Sequence, residues 1–404
     1  MRFQCTPGGF RGFALKSTQL MSVGAPEPLI DVQTAVETAA IEIGMTDIAA
    51  RSPLELFWRR FRSDRVALFS LGTIVVLVAL AIFAPLIVKL IGAPGPNTQN
   101  SGALDQFGLP TGPSRNAVLP FEVLVGGLLL ALIMGFLPWR QARGRAQLIV
   151  AAVAVVAAIA LAAIFWPSAK HLFGVDSLGR DVFARVLYGA RVSLLVAFVA
   201  TGISMLIGVT AGLVAGYYRG GVDLVISRLI DLLLAFPILL LGLGIAAACS
   251  LGKGCLGGLI QPGLVDVIFV IAFLNWTYIA RIVRGQVLSL REKEFVESAR
   301  SLGASDARII FRELLPNLTA PIIVYATLII PQNILFEASL SFLGVGVQPP
   351  TASWGKMLAD ATSIFDTAWW YMVFPGAALL VTVLAFNLVG DGLQDALSPR
   401  LARS

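Results

Sequence analysis

The sequence has little charge and few of the side chains that enzymes use. Only 13% of its 404 residues are charged, and it contains one histidine and three cysteines. A lone histidine does not form a zinc site, and three cysteines do not form a disulfide framework, so His171 is predicted to be a surface residue and no metal site is expected. The phosphate-binding pattern G-x-x-x-x-G-K-[S/T] is also absent, since Gly355-Lys356 is followed by Met357. No catalytic residue is predicted, and the chain is not expected to be an enzyme.

Hydrophobic residues dominate the sequence instead. They make up 57% of the chain, and the mean hydropathy is +0.83, which is typical of a polytopic membrane protein. A membrane-spanning helix needs about 17 to 25 apolar residues. Eight runs meet this requirement: 66–88, 121–138, 148–166, 192–215, 232–248, 267–283, 318–336 and 371–389. The fold class is therefore predicted to be all-α with about eight transmembrane helices.

Arginines in the short loops predict the orientation in the membrane. Four precede the first span at 59–65, and three lie in the connection 140–145, an even number of spans away. Because positive loops stay on the cytoplasmic side, both termini are predicted to be cytoplasmic. The net charge of +6 follows from these loops and gives no reason to predict a nucleic-acid partner.

Composition divides the chain into four regions. Residues 1–50 mix Gly, Pro, Ser and Thr without a period and are predicted to be a poorly ordered cytoplasmic tail. Residues 51–92 contain an interfacial helix and the first span. Residues 93–170 contain an outer loop and two spans that form a hairpin. Residues 171–404 form the main bundle, beginning with an amphipathic outer helix before the fourth span.

Small residues repeat every fourth position in and just after the fourth span. Such a stripe lets a neighbouring helix approach the backbone closely, so packing is favoured over substrate contact. The stripe consists of Ser204, Gly208, Gly212, Gly216 and Gly220.

Two prolines and two cysteines add local expectations. Pro237 and Pro331 are predicted to kink the fifth and seventh spans. Cys249 and Cys255 fall in the outer loop after the fifth span, where they are either two unrelated small residues or a local disulfide.

The segment 291–316 is the long polar stretch of the C-terminal half. Its first part, 291–302, has helical spacing, and Gly303 suits the C-terminal cap. Ser305 or Asp306 suits the N-cap of a second short helix that Pro316 would end. From spacing alone, a solvated connector and a partner-binding helix-turn-helix are both open.

This segment resembles the "EAA" signature of the membrane subunits of ABC importers. The matching positions are Glu297-Ser298-Ala299, then Gly303, then Leu315-Pro316. Ser298 replaces an alanine, and Glu313 stands where the signature has isoleucine. Further stretches, including "SLGRDVFARVLYGARVSL" and "EASLSFLGVGVQPPTASWG", are similar to the permease branch for dipeptides, oligopeptides and nickel, over 52–88 and 175–400.

The resemblance implies a type I ABC importer permease fold in the bacterial cytoplasmic membrane. It implies three kinds of partner: a second permease chain, usually a different one, two ATPase subunits and an external substrate-binding protein. ATP and Mg²⁺ would be bound by the ATPase subunits, so no cofactor is expected in this chain. The resemblance implies that Glu297, Ser298, Ala299, Gly303, Leu315 and Pro316 belong to the segment that contacts the ATPase.

The resemblance fails over 92–170, where the extra hairpin is inserted. Two other classes compete with the importer hypothesis. An ion-coupled carrier normally places paired ionisable groups near the midplane, and few charges lie within these spans. The second class is a membrane scaffold that only recruits a partner, and only the family resemblance argues against it.

Overall fold

A computed structural model describes residues 53–113, 171–251, 254–255, 258 and 260–397. All of them belong to one compact unit that begins at Pro53. The predicted tail 1–50 and the predicted spans 121–138 and 148–166 lie outside the described residues. Within the described ranges the chain is helical, and its only β-type pairings are three isolated bridges.

Ten α-helices are named here in chain order. They are α1 (Pro53–Ser63), α2 (Arg65–Ile91), α3 (Val182–Tyr218), α4 (Gly220–Leu234), α5 (Ile238–Leu251), α6 (Leu264–Leu290), α7 (Glu294–Ser301), α8 (Asp306–Phe342), α9 (Trp354–Ala361) and α10 (Trp370–Leu397). One π-helical turn, Ile309–Leu314, lies inside α8. A short 3₁₀ turn, Ser101–Ala103, follows α2.

Five helices are long and apolar enough to cross a membrane, namely α2, α3, α6, α8 and α10. They coincide with five of the predicted spans. The fifth predicted span, 232–248, is a bent pair: α4 and α5 meet at 88° around Pro237. At about 1.5 Å per residue, neither half alone crosses a hydrocarbon core of about 30 Å. Proline therefore breaks this span, whereas α8 runs without a break through Pro331.

The fourth span begins earlier than its apolar run. Asp181 caps α3 by accepting a hydrogen bond from the Ala184 amide (2.8 Å), and the helix then continues for 37 residues. The predicted separate surface helix is therefore wrong, because Val182 and Val186 are buried in the bundle. The surface prediction for His171 is also wrong: its ring is buried and Nδ1 lies 3.0 Å from Asp181 Oδ2.

Packing arranges the helices so that two ends of the bundle can be distinguished. The "α7 end" contains α1, the start of α2, the ends of α3, α6 and α10, and α7 itself. The "α9 end" contains α9, the end of α2 and the starts of α3, α6 and α10. One core cluster joins α2, α3, α8 and α10 between these ends. A second joins α3, α6, α7 and α8 at the α7 end, and it supports the candidate site.

Candidate coupling site

Helix α7 is a short polar helix that directly follows a membrane span. Glu294 and Glu297 lie in its first turn and Arg300 in its last turn. Carboxylates near a helix N-terminus and a cation near its C-terminus both interact favourably with the helix dipole. The local sequence therefore stabilises a helix of only eight residues at this position.

A glycine turn reverses the chain after α7. The Gly303 amide donates to Arg300 O (2.9 Å), and the Ala304 amide donates to Ala299 O (3.1 Å). These two bonds form a Schellman motif, in which the residue after the C-cap adopts a left-handed conformation. Gly303 has φ of +78°, which glycine adopts without steric cost. Glycine at this position thus fixes the direction in which α8 leaves.

One face of α7 is inserted into the bundle. Val296 is 1% exposed and packs in the cluster formed by α3, α6 and α8, whose members include Tyr217 and Val287. Ala299 is half-buried against the same cluster. Because protein interiors are close-packed, a displacement of α7 must be shared with the ends of these three helices.

Polar contacts fasten the same segment to the end of α3. The Tyr217 hydroxyl donates to Asp306 Oδ1 (2.6 Å), and the Arg291 guanidinium donates to Tyr217 O (2.6 Å). Arg291 also lies 5.5 Å from the Tyr217 ring centroid. Both sides of α7 are therefore attached to one turn of α3.

A third polar contact, an ion pair, lies at the surface. Arg219 donates to Glu292 Oε1 (2.6 Å), and this guanidinium holds the pKa of the Glu292 carboxyl below its usual range. Solvent screens exposed pairs of this kind, so its contribution to stability is small.

The outward face of α7 is open. Glu297 and Ser298 are exposed, as are Leu302 and Gly303. An added Cβ at Gly303 would meet no atom within 4 Å. The predicted residues Glu297, Ser298 and Gly303 therefore share an accessible segment, whereas Ala299 contributes mainly to packing.

Pro316 lies inside a helix, whereas the sequence predicted it at a helix end. It does not end a second short helix, because α8 continues through it to Phe342. The π-helical turn Ile309–Leu314 precedes it, and Leu315 is half-buried against the α7 cluster. Proline is accommodated in the first turn of a helical segment, where its missing N–H has the least cost.

Two exposed apolar side chains in this region were missed from the sequence. Leu302 is 87% exposed and Phe311 is 65% exposed. Leu302 lies at the C-cap, where the helical spacing of 291–302 ends. Exposed apolar groups beside a polar helix are typical of a protein contact surface.

The small-residue stripe lies between α3 and α6. A Cβ added at Gly208, Gly212 or Gly216 would come within 2.6–2.8 Å of α6 atoms, and the Ser204 hydroxyl donates to Ala272 O (3.5 Å). Gly220 does not share this contact. It begins α4 with φ of +58° and has open space around its Cβ position.

Several ionisable groups within the described part of the bundle are paired or enclosed. Arg284 pairs with Asp223, and Arg281 pairs with Asp231 (2.5 Å), so that both pairs join α4 to α6. Glu337 of α8 is fully buried and accepts hydrogen bonds from Ser193 and Ser341 (2.8 Å each). These arrangements connect helices to one another.

The cysteine pair lies at the α9 end. The Cα atoms of Cys249 and Cys255 are 4.7 Å apart, and their sulfur atoms are within bonding distance. This Cα separation lies within the range of about 4.4 to 6.8 Å that disulfides require. The disulfide stays a prediction that thiol labelling would test.

Comparison with known proteins adds two family matches. The family described as "Binding-protein-dependent transport system inner membrane component" matches residues 208–403. The family described as "N-terminal TM domain of oligopeptide transport permease C" matches residues 52–107. The second match covers α1 and α2. The first begins at Gly208, within α3, and covers α4 to α10.

Individual relatives agree with these matches. The dipeptide transport system permease protein DppC of Alkalihalophilus pseudofirmus is 46% identical over 235 residues, which are 58% of this chain and 74% of that protein. The glutathione transport system permease protein GsiD of Pectobacterium atrosepticum is 44% identical over the same shares. A chain of the MetNI methionine ABC transporter, solved in inward-facing conformations, is 19% identical with a TM-score of 0.44, over 53% of this chain and 96% of that chain.

Fold and relatives together define a multi-pass membrane permease. The chain belongs to the family of binding-protein-dependent transport inner membrane components, and it is a permease subunit of an ABC importer.

Proposed function

We propose that this chain forms half of the translocation path of an importer driven by a separate ATPase. The observation that carries the proposal is α7: an exposed polar helix whose inner face is packed against α3, α6 and α8. A displacement of α7 is therefore transmitted directly to α3, α6 and α8, with no flexible segment between them. An ATPase subunit with a groove for α7 could therefore move the bundle.

The proposed mechanism is alternating access. ATP and Mg²⁺ bind to two ATPase subunits, and closure of these subunits draws together α7 and its counterpart in a second permease chain. Rigid halves that rotate about their interface would then change which end of the path is open. Glu297, Ser298 and Gly303 form the contact, while Val296 and the Tyr217–Asp306 hydrogen bond transmit the movement.

A cavity at the α7 end supports a solute path beside this segment. Its volume is about 370 Å³, and it lies between the α6, α8 and α10 helices, lined by residues that include Gln286, Pro321, Tyr325 and Gln394. Small-molecule sites commonly have volumes of about 300 to 1,000 Å³. The lining is uncharged and mainly apolar, with polar groups from Gln286, Tyr325 and Gln394. The relatives named for dipeptides and glutathione favour peptides as the substrate class.

The complete assembly is proposed to contain four other chains. They are a second permease, which in this branch is usually a different chain, two ATPase subunits and an external substrate-binding protein. The location is the bacterial cytoplasmic membrane, with both termini and α7 on the cytoplasmic side. The arginines of α1 at the α7 end support this orientation.

Affinity purification tests the proposal. The tagged chain would be purified from its native membrane in mild detergent, and the accompanying proteins identified by mass spectrometry. We expect a phosphate-loop ATPase and a second permease. Charge reversal at the exposed Glu297 (Glu297→Lys) should remove the ATPase, whereas the control Asp366→Lys, at an exposed position of the α9 end, should retain it. Repeated recovery of the intact chain alone would contradict the proposal and favour a carrier or scaffold.

A further inference from the structure

Two cysteines and a buried carboxylate meet at the α9 end, far from α7. Cys249 lies near the end of α5, Cys255 in the following loop and Asp266 in the first turn of α6. The two sulfur atoms and one carboxylate oxygen all lie within 4.8 Å of one another. Cys249 is 1% exposed and Asp266 is 0% exposed.

The Asp266 carboxylate has no hydrogen-bond partner among the described residues. Both of its oxygens are buried, and neither accepts a hydrogen bond from the part of the chain that the structure describes. Buried polar groups are normally paired, so an unpaired carboxylate requires an explanation. The first turn of a helix favours negative charge, but no N–H group of the described residues reaches these oxygens.

A disulfide does not provide that explanation. The bond joins Cys249 to Cys255 across a sequence separation of six residues and leaves Asp266 unpaired. A cation held by the two sulfurs would pair with the carboxylate as well. It would also join α5 to α6, which the disulfide does not.

The set of donor atoms selects the type of cation. Two thiolates and one carboxylate are three protein ligands that leave a fourth position for water, a pattern in which Zn²⁺ binds tetrahedrally. With Zn–S distances of about 2.3 Å, the sulfurs would stand about 3.8 Å apart, so zinc binding requires that the bond between them is broken first. Mg²⁺ and Ca²⁺ prefer oxygen ligands and fit this set poorly.

We propose that the reduced thiolates of Cys249 and Cys255, together with Asp266, bind one zinc ion. Reduction of the disulfide consumes two electrons and two protons, supplied by an external dithiol that is itself oxidised to a disulfide. Zinc then displaces the two thiol protons. Oxidation and zinc binding therefore compete for the same sulfur atoms, independently of the proposed transport function.

Zinc content of the full-length chain tests this site. The chain would be purified in mild detergent in a Cys5→Ser background, which removes the third cysteine. Oxidised and phosphine-reduced samples would be incubated with zinc sulfate, passed through metal-free buffer and measured by inductively coupled plasma mass spectrometry. We expect one zinc per chain after reduction and a background level after oxidation. Equal zinc in both samples would overturn the proposal.

Two carboxylate variants locate the site. Asp266→Asn should weaken zinc binding by more than about 100-fold in a chelator competition, because loss of even an outer-sphere partner costs about 10- to 100-fold. The control Asp366→Asn removes an exposed carboxylate at the same end and should bind zinc as the parent does. Parent-like affinity in Asp266→Asn would overturn the assignment.

A spectroscopic measurement covers the case in which a variant does not fold. Cobalt(II) added to the reduced parent chain should give a thiolate-to-metal charge-transfer band that zinc abolishes. Its absence would overturn the proposal without reference to any variant.

Discussion

Substitution of Gly303 by Asp should abolish coupling to the ATPase while the chain still folds. Its φ of +78° imposes a cost of about 1–2 kcal/mol on an ordinary L-residue, and Asp is among the residues that tolerate this region best. No atom lies within 4 Å of the added Cβ, so no steric cost follows. Against a typical stability of about 5–15 kcal/mol, Gly303→Asp should remain folded.

The functional loss should be much larger than the stability loss. The new carboxylate would project from the exposed turn beside α7, at the proposed contact with the ATPase. We expect Gly303→Asp to reach near-normal abundance in the membrane, with the midpoint of thermal unfolding lowered by only a few degrees, and to recover little ATPase on purification. Uptake and ATP hydrolysis stimulated by the binding protein should fall together.

A second glycine provides the matched control. Gly92 also has positive φ (+69°) and open space around its Cβ position, but it caps α2 at the α9 end. Gly92→Asp adds the same charge at a similar backbone cost and should retain the ATPase. The reasoning is refuted if Gly303→Asp binds the ATPase and supports uptake like the parent, or if both variants lose the ATPase equally.

Three further predictions follow from packing and hydrogen bonds. Gly212→Ala would place its Cβ 2.7 Å from a backbone oxygen of α6, whereas the Cβ of Gly202→Ala meets nothing within 4 Å. Because both variants gain the same helix propensity, Gly212→Ala should be less stable than Gly202→Ala by about 1–3 kcal/mol in thermal or denaturant unfolding. Equal stability of the two variants would contradict the packing of α3 on α6. Tyr217→Phe removes the hydrogen bond to Asp306 and should lower uptake per ATP hydrolysed while the ATPase stays bound; unchanged coupling would remove Tyr217 from the mechanism. Glu337→Ala should destabilise the chain by about 2–4 kcal/mol, since two buried hydroxyls lose their acceptor, and Glu337→Gln should cost less; equal unfolding midpoints would contradict this role.

Spans with a regular pattern could be predicted from the sequence. Apolar length identified α2, α3, α6, α8 and α10, and the four-residue spacing of Gly208, Gly212 and Gly216 identified the face of α3 that packs on α6. Both signals are local, since they depend on residues that are neighbours in one helix.

Features that depend on tertiary contacts could not be predicted. The true start of α3 was not predicted because the segment before the fourth span carries charged residues. One of them, Arg185, is nevertheless buried, since it contacts the loop after α2 and donates to Pro96 O (3.1 Å). His171 was predicted to be exposed because it is a lone histidine, and nothing local indicates that Asp181 is its buried partner. Pro316 looked like a terminator, but the preceding π-helical turn accommodates it inside α8.

The coupling residues were predicted by resemblance, and the structure adds the contacts that hold their segment to the bundle. The spacing of Glu297 and Gly303 located the segment, but nothing local indicates that Tyr217 is its hydrogen-bonding partner. Such long-range contacts decide whether an exposed helix is a loose connector or is fixed to the bundle.

Site-specific photo-crosslinking tests the central claim most directly. A photoreactive residue would replace Ser298, which is exposed on α7, and, as a matched control, Ser363, which is exposed at the α9 end. Irradiation of native membranes should join position 298, and not position 363, to a phosphate-loop ATPase, with a yield that changes when ATP is added. No ATPase adduct from position 298, or equal adducts from both positions, would contradict α7 as the coupling helix.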